Sequence, residues 1–179
     1  MFHTETEVID ISAFLQPRVE PEIGFILGEP LTGPGVTVED VAAAVDRVVP
    51  ALEIIDSRVR DWRISIVDTI ADNASSGGVV LGATTTGLAG VDVVSATGVL
   101  EVNGEVAGTG PGSAVLGNPL KAVAWLANVL GERGVALEAG HVVLPGSVTA
   151  AVPVADGDVV TATFDGLGQV TARFGKVSG

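Results

Sequence analysis

A β-rich α+β domain with two main helices is the fold class this sequence predicts, and three observations predict it. Runs rich in Val, Ile and Phe, bounded by Gly, Pro, Asn and Asp, recur along the chain. The pair Asn103-Gly104 stands between two such runs, Val93 to Val102 and Glu105 to Ala107, as a tight hairpin turn requires. Helical periodicity with a start signal occurs at two places, after Thr37 and after Asn118.

Residues 1–15 carry little pattern beyond an apolar run from Val8 to Leu15, broken by Asp10 and Ser12. Gln16 to Leu27 reads as a strand. Side chains two apart on a strand share a face, so Glu20 and Glu22 look the same way. Two like charges side by side need compensation. A divalent cation supplies it, and so does water at a solvated edge strand, for which Pro21 would block one ladder position. Gly28 to Gly35 is a Gly/Pro loop.

Thr37 caps a helix with Glu39 and Asp40 in its first turn, where acids suit the positive end of the dipole. Val38, Val41, Val45, Val48 and Val49 form its apolar face, and Pro50 stops it. Ala51 to Arg58 follows as a strand whose Glu53 lies in apolar company, a place where a carboxylate must be paired or must coordinate something. Arg58 and Asp56 fall on the other face. Ile64 to Ile70 fits a strand or a short helix. Asp72 to Gly78 is a polar turn rich in donors.

Val79 to Gly82 is a short buried strand, followed by a Thr/Gly-rich loop, the hairpin and a Gly-rich loop from Gly108 to Gly117. That loop has no dinucleotide fingerprint and no phosphate-loop lysine. Asn118 caps the second helix, Pro119 takes its first position, and Leu120, Val123, Ala124, Ala127 and Leu130 line one face. Strands at Val142 to Leu144, Val159 to Phe164 and Val170 to Phe174 complete the chain.

The 179 residues suffice for one domain with a real core. A mean hydropathy of +0.52 is high, yet Gly, Asp, Asn and Pro interrupt every apolar run before the ~20 residues of a membrane span. The excess apolarity suits a β core and subunit interfaces. A net charge of −13 and no basic stripe argue against a nucleic-acid partner. Without cysteine there is no disulfide, thiolate nucleophile or zinc–sulfur site. His3, in a tail, and His141, in a turn, read as surface imidazoles. Met1 to Glu7 is acidic and lacks the apolar core of a signal peptide.

Three carboxylates therefore stand out: Glu20 and Glu22 on one strand, and Glu53 on the strand after the helix. If those strands pair, all three converge on a site suited to Mg²⁺ or Mn²⁺. The run Pro17 to Leu27 resembles the metal-binding strand of the 2-hydroxypenta-2,4-dienoate (2-keto-4-pentenoate) hydratases. Ala51 to Arg58, Asp68 to Ser76, Ala114 to Pro119, Ala122 to Ala127 and Leu144 to Ser147 match in the same order. These hydratases and the similar 4-oxalocrotonate decarboxylases lie in the fumarylacetoacetate hydrolase superfamily. The likeness extends from about residue 8 to 174.

The resemblance implies a mixed β-roll or sandwich of the fumarylacetoacetate hydrolase C-terminal type, one catalytic domain over 1–179, with the site in the roll's mouth. It implies that Glu20, Glu22 and Glu53 hold Mg²⁺ or Mn²⁺, and that Asp72, Ser75 and Ser147 act at the substrate. The substrate is a small 2-oxo or 2-hydroxydienoate acid whose carboxylate and 2-oxygen chelate the ion, which serves as a Lewis acid. The expected reaction is hydration of 2-hydroxypenta-2,4-dienoate to 4-hydroxy-2-oxopentanoate in aromatic meta-cleavage catabolism. The expected setting is a cytoplasmic homo-oligomer, alone or with other enzymes of the pathway. Decarboxylation of 4-oxalocrotonate is the alternative within the class, and hydrolysis of an acylpyruvate is more distant.

One departure bears on this expectation. The family carries a further N-terminal segment that supplies a lysine and an acid for proton transfer, and residues 1–15 read as its remnant. Neither Lys121 nor Lys176 matches that lysine. A metal-binding or interaction domain of weak activity is the reading from another class.

Overall fold

A computed structural model describes residues 1–177. These residues form two mixed sheets, three α-helices and several single turns of 3-10 helix. The first sheet contains β1 (Phe2–His3), β3 (Arg18–Leu27), β4 (Val45–Ile55), β5 (Ser76–Leu81), β8 (Val142–Val143) and β9 (Val152–Pro153). Its order is β1-β5-β4-β3-β8, with β9 also pairing β3. The second contains β2 (Val8–Asp10), β6 (Thr97–Val102), β7 (Glu105–Pro111), β10 (Val159–Phe164) and β11 (Gly168–Gly175), in the order β2-β11-β10-β6-β7. The β1–β5 and β2–β11 pairs are parallel and the rest antiparallel. Met1 and Phe2 share one apolar cavity with Val142 and Val143, so the edges of the first sheet curl toward each other as a roll.

The central pair is β3–β4, in register from Arg18↔Ile55 to Leu27↔Val45. One face of this pair carries Val19, Phe25, Val48, Leu52 and Ile54, all fully buried, and packs toward β10 and β11 of the second sheet. Alternation puts Glu20, Glu22 and Glu53 on the other face. Burying a side chain the size of Leu52 contributes roughly 1.5–3 kcal/mol, so the greasy face sets the register and the register places the acids.

The helix from Thr37 is shorter than its periodicity predicts. α1 spans Val38–Ala44, and Val45, Val48 and Val49 belong to β4 instead. Thr37 and Asp40 form the reciprocal cap. The β-branched valines then fill a ladder against Leu27, Phe25 and Gly24, where their stiff side chains fit better than on a helix. Pro50 does not stop an element but lies within β4. Its carbonyl accepts from Gly82 N–H at 2.9 Å just past the last β4–β5 pair, so its missing donor falls where no ladder bond is needed. Pro21 likewise sits inside the sheet, not on a solvated edge, between the stretches of β3 that pair β8 and β9.

Four other expectations shift. Residues 1–15 contain β1 and β2, each closing one sheet. Ile64 to Ile70 resolves as α2 (Ile66–Ala71), a third helix capped by Ser65 and Asp68. The strand expected from Val93 begins only at Thr97, because Asp92 accepts from Val94 N–H, Ser95 N–H and the Ser95 hydroxyl and closes a turn. The Gly108 loop is strand as far as Pro111. The hairpin turn stands as read, with Asn103 at φ 54° and Gly104 at φ 83°. So does the helix after Asn118: α3 spans Pro119–Gly131 and buries Leu120, Val123, Ala124 and Ala127. No described helix is long and apolar enough to cross a membrane.

Candidate metal centre

Glu20 and Glu53 face each other across the β3–β4 ladder, and Glu22 lies one same-face position along from Glu20. Each offers an oxygen, and the three oxygens lie within 4.8 Å of one another. Opposite ligands stand about 4.2 Å apart across Mg²⁺ and about 4.8 Å apart across Ca²⁺, so the cluster admits a hard divalent cation. Glu22 is buried, and Glu20 and Glu53 are half-buried.

The electrostatics agree with that donor set. Among the described residues, no lysine or arginine is in ion-pair contact with any of the three. Burial, then the charge of Glu53, pushes Glu20 up to about 7. Burial, then Glu53, pushes Glu22 up to about 8, against the pull of a hydrogen bond from Gly146. Burial also raises Glu53, while Ser76 and Glu22 draw it back down. Shifts in this direction favour the neutral carboxyls, and a bound cation would favour the carboxylates.

Backbone far away in sequence orients Glu22. Gly146 N–H donates to its Oε2 at 2.7 Å, and Gly146 has φ 135°, a conformation open to glycine and strained for other residues. The next residue, Ser147, lies at 3.4 Å from the Pro21 carbonyl through its hydroxyl, and its Oγ accepts from Thr149 N–H. The expected substrate residue Ser147 is thus brought beside the Glu22 anchor. Nothing but the Pro-Gly-Ser turn pattern marks Gly146 in the sequence.

Asp72 and Ser75 lie on the turn that leads into β5. The Asp72 carboxylate accepts from Arg58 N–H at 3.0 Å and stands 3.4 Å from the Arg58 guanidinium, so it is a partnered anion. Asn73, Ala74 and Ser75 have φ of 53°, 56° and 58°, a left-handed run without a glycine. The Ser75 hydroxyl is buried and has no hydrogen-bond partner among the described residues. Such a run persists only where its surroundings over-determine it.

Asp56 and Gln16 form a second polar cluster, beyond the ends of the strands that carry the acids, that sequence reasoning passes over. Asp56, buried just past β4, accepts from the N–H groups of Leu15 and Gln16 at 2.7–3.1 Å. The Arg18 guanidinium lies 4.7 Å from the centre of the Trp62 ring. No short-range sequence signal announces contacts that span more than 40 residues.

Two mixed sheets packed together through one face of the β3–β4 pair, with three acids converging on its other face, define a β-roll with a candidate metal centre. The model of the fumarylacetoacetate (FAA) hydrolase C-terminal family matches residues 3–175, and the chain belongs to that family. It is 48% identical over 163 residues to a 2-hydroxyhexa-2,4-dienoate hydratase of Comamonas testosteroni, covering 91% of this chain and 62% of the relative. It is 46% identical over 167 residues to a 4-oxalocrotonate decarboxylase of Pseudomonas putida, covering 93% and 63%. The solved 4-oxalocrotonate decarboxylase of Pseudomonas putida G7, complexed with magnesium and adipate, superposes with a TM-score of 0.93 at 44% identity, covering 97% of this chain and 66% of that one. The chain spans less than two thirds of the length of each of these relatives.

Proposed function

We propose that this chain is the metal-binding catalytic part of a lyase that hydrates a 2-hydroxy-2,4-dienoate to a 4-hydroxy-2-oxo acid in aromatic meta-cleavage catabolism, working as a homo-oligomer. The observation that carries the reading is the convergence of Glu20, Glu22 and Glu53 without a cationic partner. The identity to a dienoate hydratase supports the choice of reaction.

Glu20, Glu22 and Glu53 would hold Mg²⁺ or Mn²⁺. The bound ion would act as a Lewis acid toward the substrate's carboxylate and 2-oxygen. The remaining work falls to this chain's own groups. Gly146 N–H fixes the Glu22 carboxylate, and β5 pairs alongside Glu53 through Val79. The burial that raises all three pKa values keeps the carboxyls out of bulk water. Loss of their protons therefore accompanies the arrival of a cation. The Ser75 hydroxyl is a free donor for a substrate oxygen, and Ser147 stands beside the Glu22 anchor. Asp72, tied to Arg58, serves to orient and not as a free base.

The testing experiment is calorimetric titration with Mg²⁺ and Mn²⁺, with and without oxalate as a mimic of the 2-oxo acid, followed by assay with 2-hydroxypenta-2,4-dienoate. Metal binding strengthened by oxalate, and turnover that depends on the metal, are expected. No metal binding would overturn the reading. Metal binding without turnover would favour a metal-binding domain of weak activity. A specific observation favours one second reading: the decarboxylase likeness at 46% identity. Release of CO₂ from 4-oxalocrotonate would select it.

A further inference from the structure

Gln16 stands just before the strand that carries Glu20 and Glu22, and each of its polar groups is committed to the stretch from Asp56 to Trp62. Its side-chain nitrogen donates to the carbonyls of Ser57 at 2.8 Å and Val59 at 2.6 Å. Its side-chain oxygen accepts from Asp61 N–H at 3.0 Å. Its backbone N–H donates to the Asp56 carboxylate at 2.7 Å, and its carbonyl accepts from the Trp62 indole N–H at 3.0 Å. Trp62 in turn packs against Arg18, the residue two before Glu20.

The segment so held has no ladder of its own. Asp61 and Trp62 adopt φ of 58° and 54°, left-handed positions that neither residue favours. The Gln16 carbonyl holds the Trp62 indole, and the Gln16 side chain, with two donors and one acceptor, matches the carbonyls of Ser57 and Val59 and the Asp61 N–H. An amide meets that demand, a carboxylate lacks the donors, and a thioether of the same shape lacks both kinds of group.

From this segment the contacts run on to the metal centre. Arg58 N–H donates to Asp72 at 3.0 Å, and Asp56 N–H donates to the Ser75 carbonyl at 2.7 Å. The next residue, Ser76, opens β5 and pairs Ile55 of β4, the strand that carries Glu53. We infer that Gln16 is a positioning residue: acting through residues 56–62, it sets the Asp72–Ser76 turn against the three carboxylates. Its consequence for ligand binding rests on the proposed metal-dependent function, whereas its consequence for the turn does not.

The test compares the whole chain with Gln16→Met and Gln16→Glu. Amide hydrogen exchange reads the turn, and calorimetry reads Mg²⁺ alone and then oxalate at saturating Mg²⁺. In both variants, exchange at Asp61 and at Asp72–Ser76 should quicken about tenfold or more, with β3 and β4 still protected. Mg²⁺ affinity should change by less than about threefold, and oxalate affinity should fall about tenfold, as for other supports of ligand-holding groups. Faster exchange confined to residues 57–62 would overturn the inference. So would uniform loss of protection across β3 and β4, or failure of both variants to fold, since Gln16 would then serve stability alone. Absence of Mg²⁺ binding in the unsubstituted chain would defeat the proposed function, and the exchange data alone would then decide the role of Gln16.

Discussion

The β3–β4 pair carries the three carboxylates and the stretch from Asp56 to Ser76 joins β4 to β5, but different forces hold the two. In β3–β4 a ten-pair register with a single irregularity, backed by a fully buried apolar face, places Glu20 opposite Glu53. No single side chain is needed to keep that alignment. In Asp56–Ser76 the backbone passes through five non-glycine residues at positive φ, and individual hydrogen bonds from Gln16, Asp56, Arg58 and Asp72 hold it. Its helix α2 exposes Ile66, Val67 and Ile70 instead of burying them. Convergence of the acids is a property of a cooperative sheet, whereas the path of the loop between β4 and β5 depends on a few local contacts. A sheet loses its register all at once or not at all, and a loop of this kind opens locally.

The largest expected effect breaks the sheet side. Leu52→Ala should cost about 2–5 kcal/mol of stability, because a fully buried side chain leaves a cavity between the sheets. Denaturant unfolding checks it, and a loss below 1 kcal/mol would mean that this face does not set the register.

Glu22→Gln separates metal binding from folding. The amide cannot ionise beside the two other carboxyls, so the melting temperature of the metal-free protein should hold near neutral pH and rise relative to the parent above about pH 8. Mg²⁺ affinity should fall by more than about a hundredfold, beyond the range seen on removing outer partners of a ligand. An unchanged titration curve would remove Glu22 from the ligand set.

The raised pKa values give a pH signature. With Glu20 at about 7 and Glu22 at about 8 in the fold, against the ordinary 4.5, the folded state binds more protons than the unfolded one across that window. Stability of the metal-free chain should therefore be highest toward pH 4.5 as far as these groups decide it, and should fall as pH rises through 7 and 8. Mg²⁺ affinity should run the other way, rising over the same interval as the protons leave. Melting curves from pH 5 to 8.5, with and without Mg²⁺, would show the two trends; a metal-free curve flat with pH would contradict the desolvated cluster.

The smallest effect sharpens the loop side. Ile70→Ser should change the stability of the isolated chain by no more than about 0.5 kcal/mol, because Ile70 lies on the surface. A larger loss would show that α2 shares the core.

Much of this was legible in the residues themselves. The α3 start at Asn118-Pro119 and the turn at Asn103-Gly104 are local signals, each satisfied by a side chain or a φ value within a few positions. The same-face relation of Glu20 and Glu22 follows from strand alternation alone. The reading failed where one local pattern fits two structures. The valines at 45, 48 and 49 satisfy helical spacing and also strand pairing, and the partner strand decided between them. Asp56, Gln16 and Gly146 were not legible as supports of the site. Each acts on groups 40 or more residues away, and in each contact one partner is a backbone group that every residue carries.

By itself the sequence determined which side chains are available and which neighbours share a face: three acids in apolar strands, no cysteine, no basic stripe, two marked helix starts. Those properties come from residue identity and from periods of 2 and 3.6, which need only a few consecutive positions. Tertiary structure decided that Glu53 stands across from Glu20, that Gly146 points its N–H at Glu22, and that a left-handed turn leads into β5 beside the strand of Glu53. Those facts depend on which strands pair and on where distant backbone groups find partners, and burial of the whole core settles such choices together.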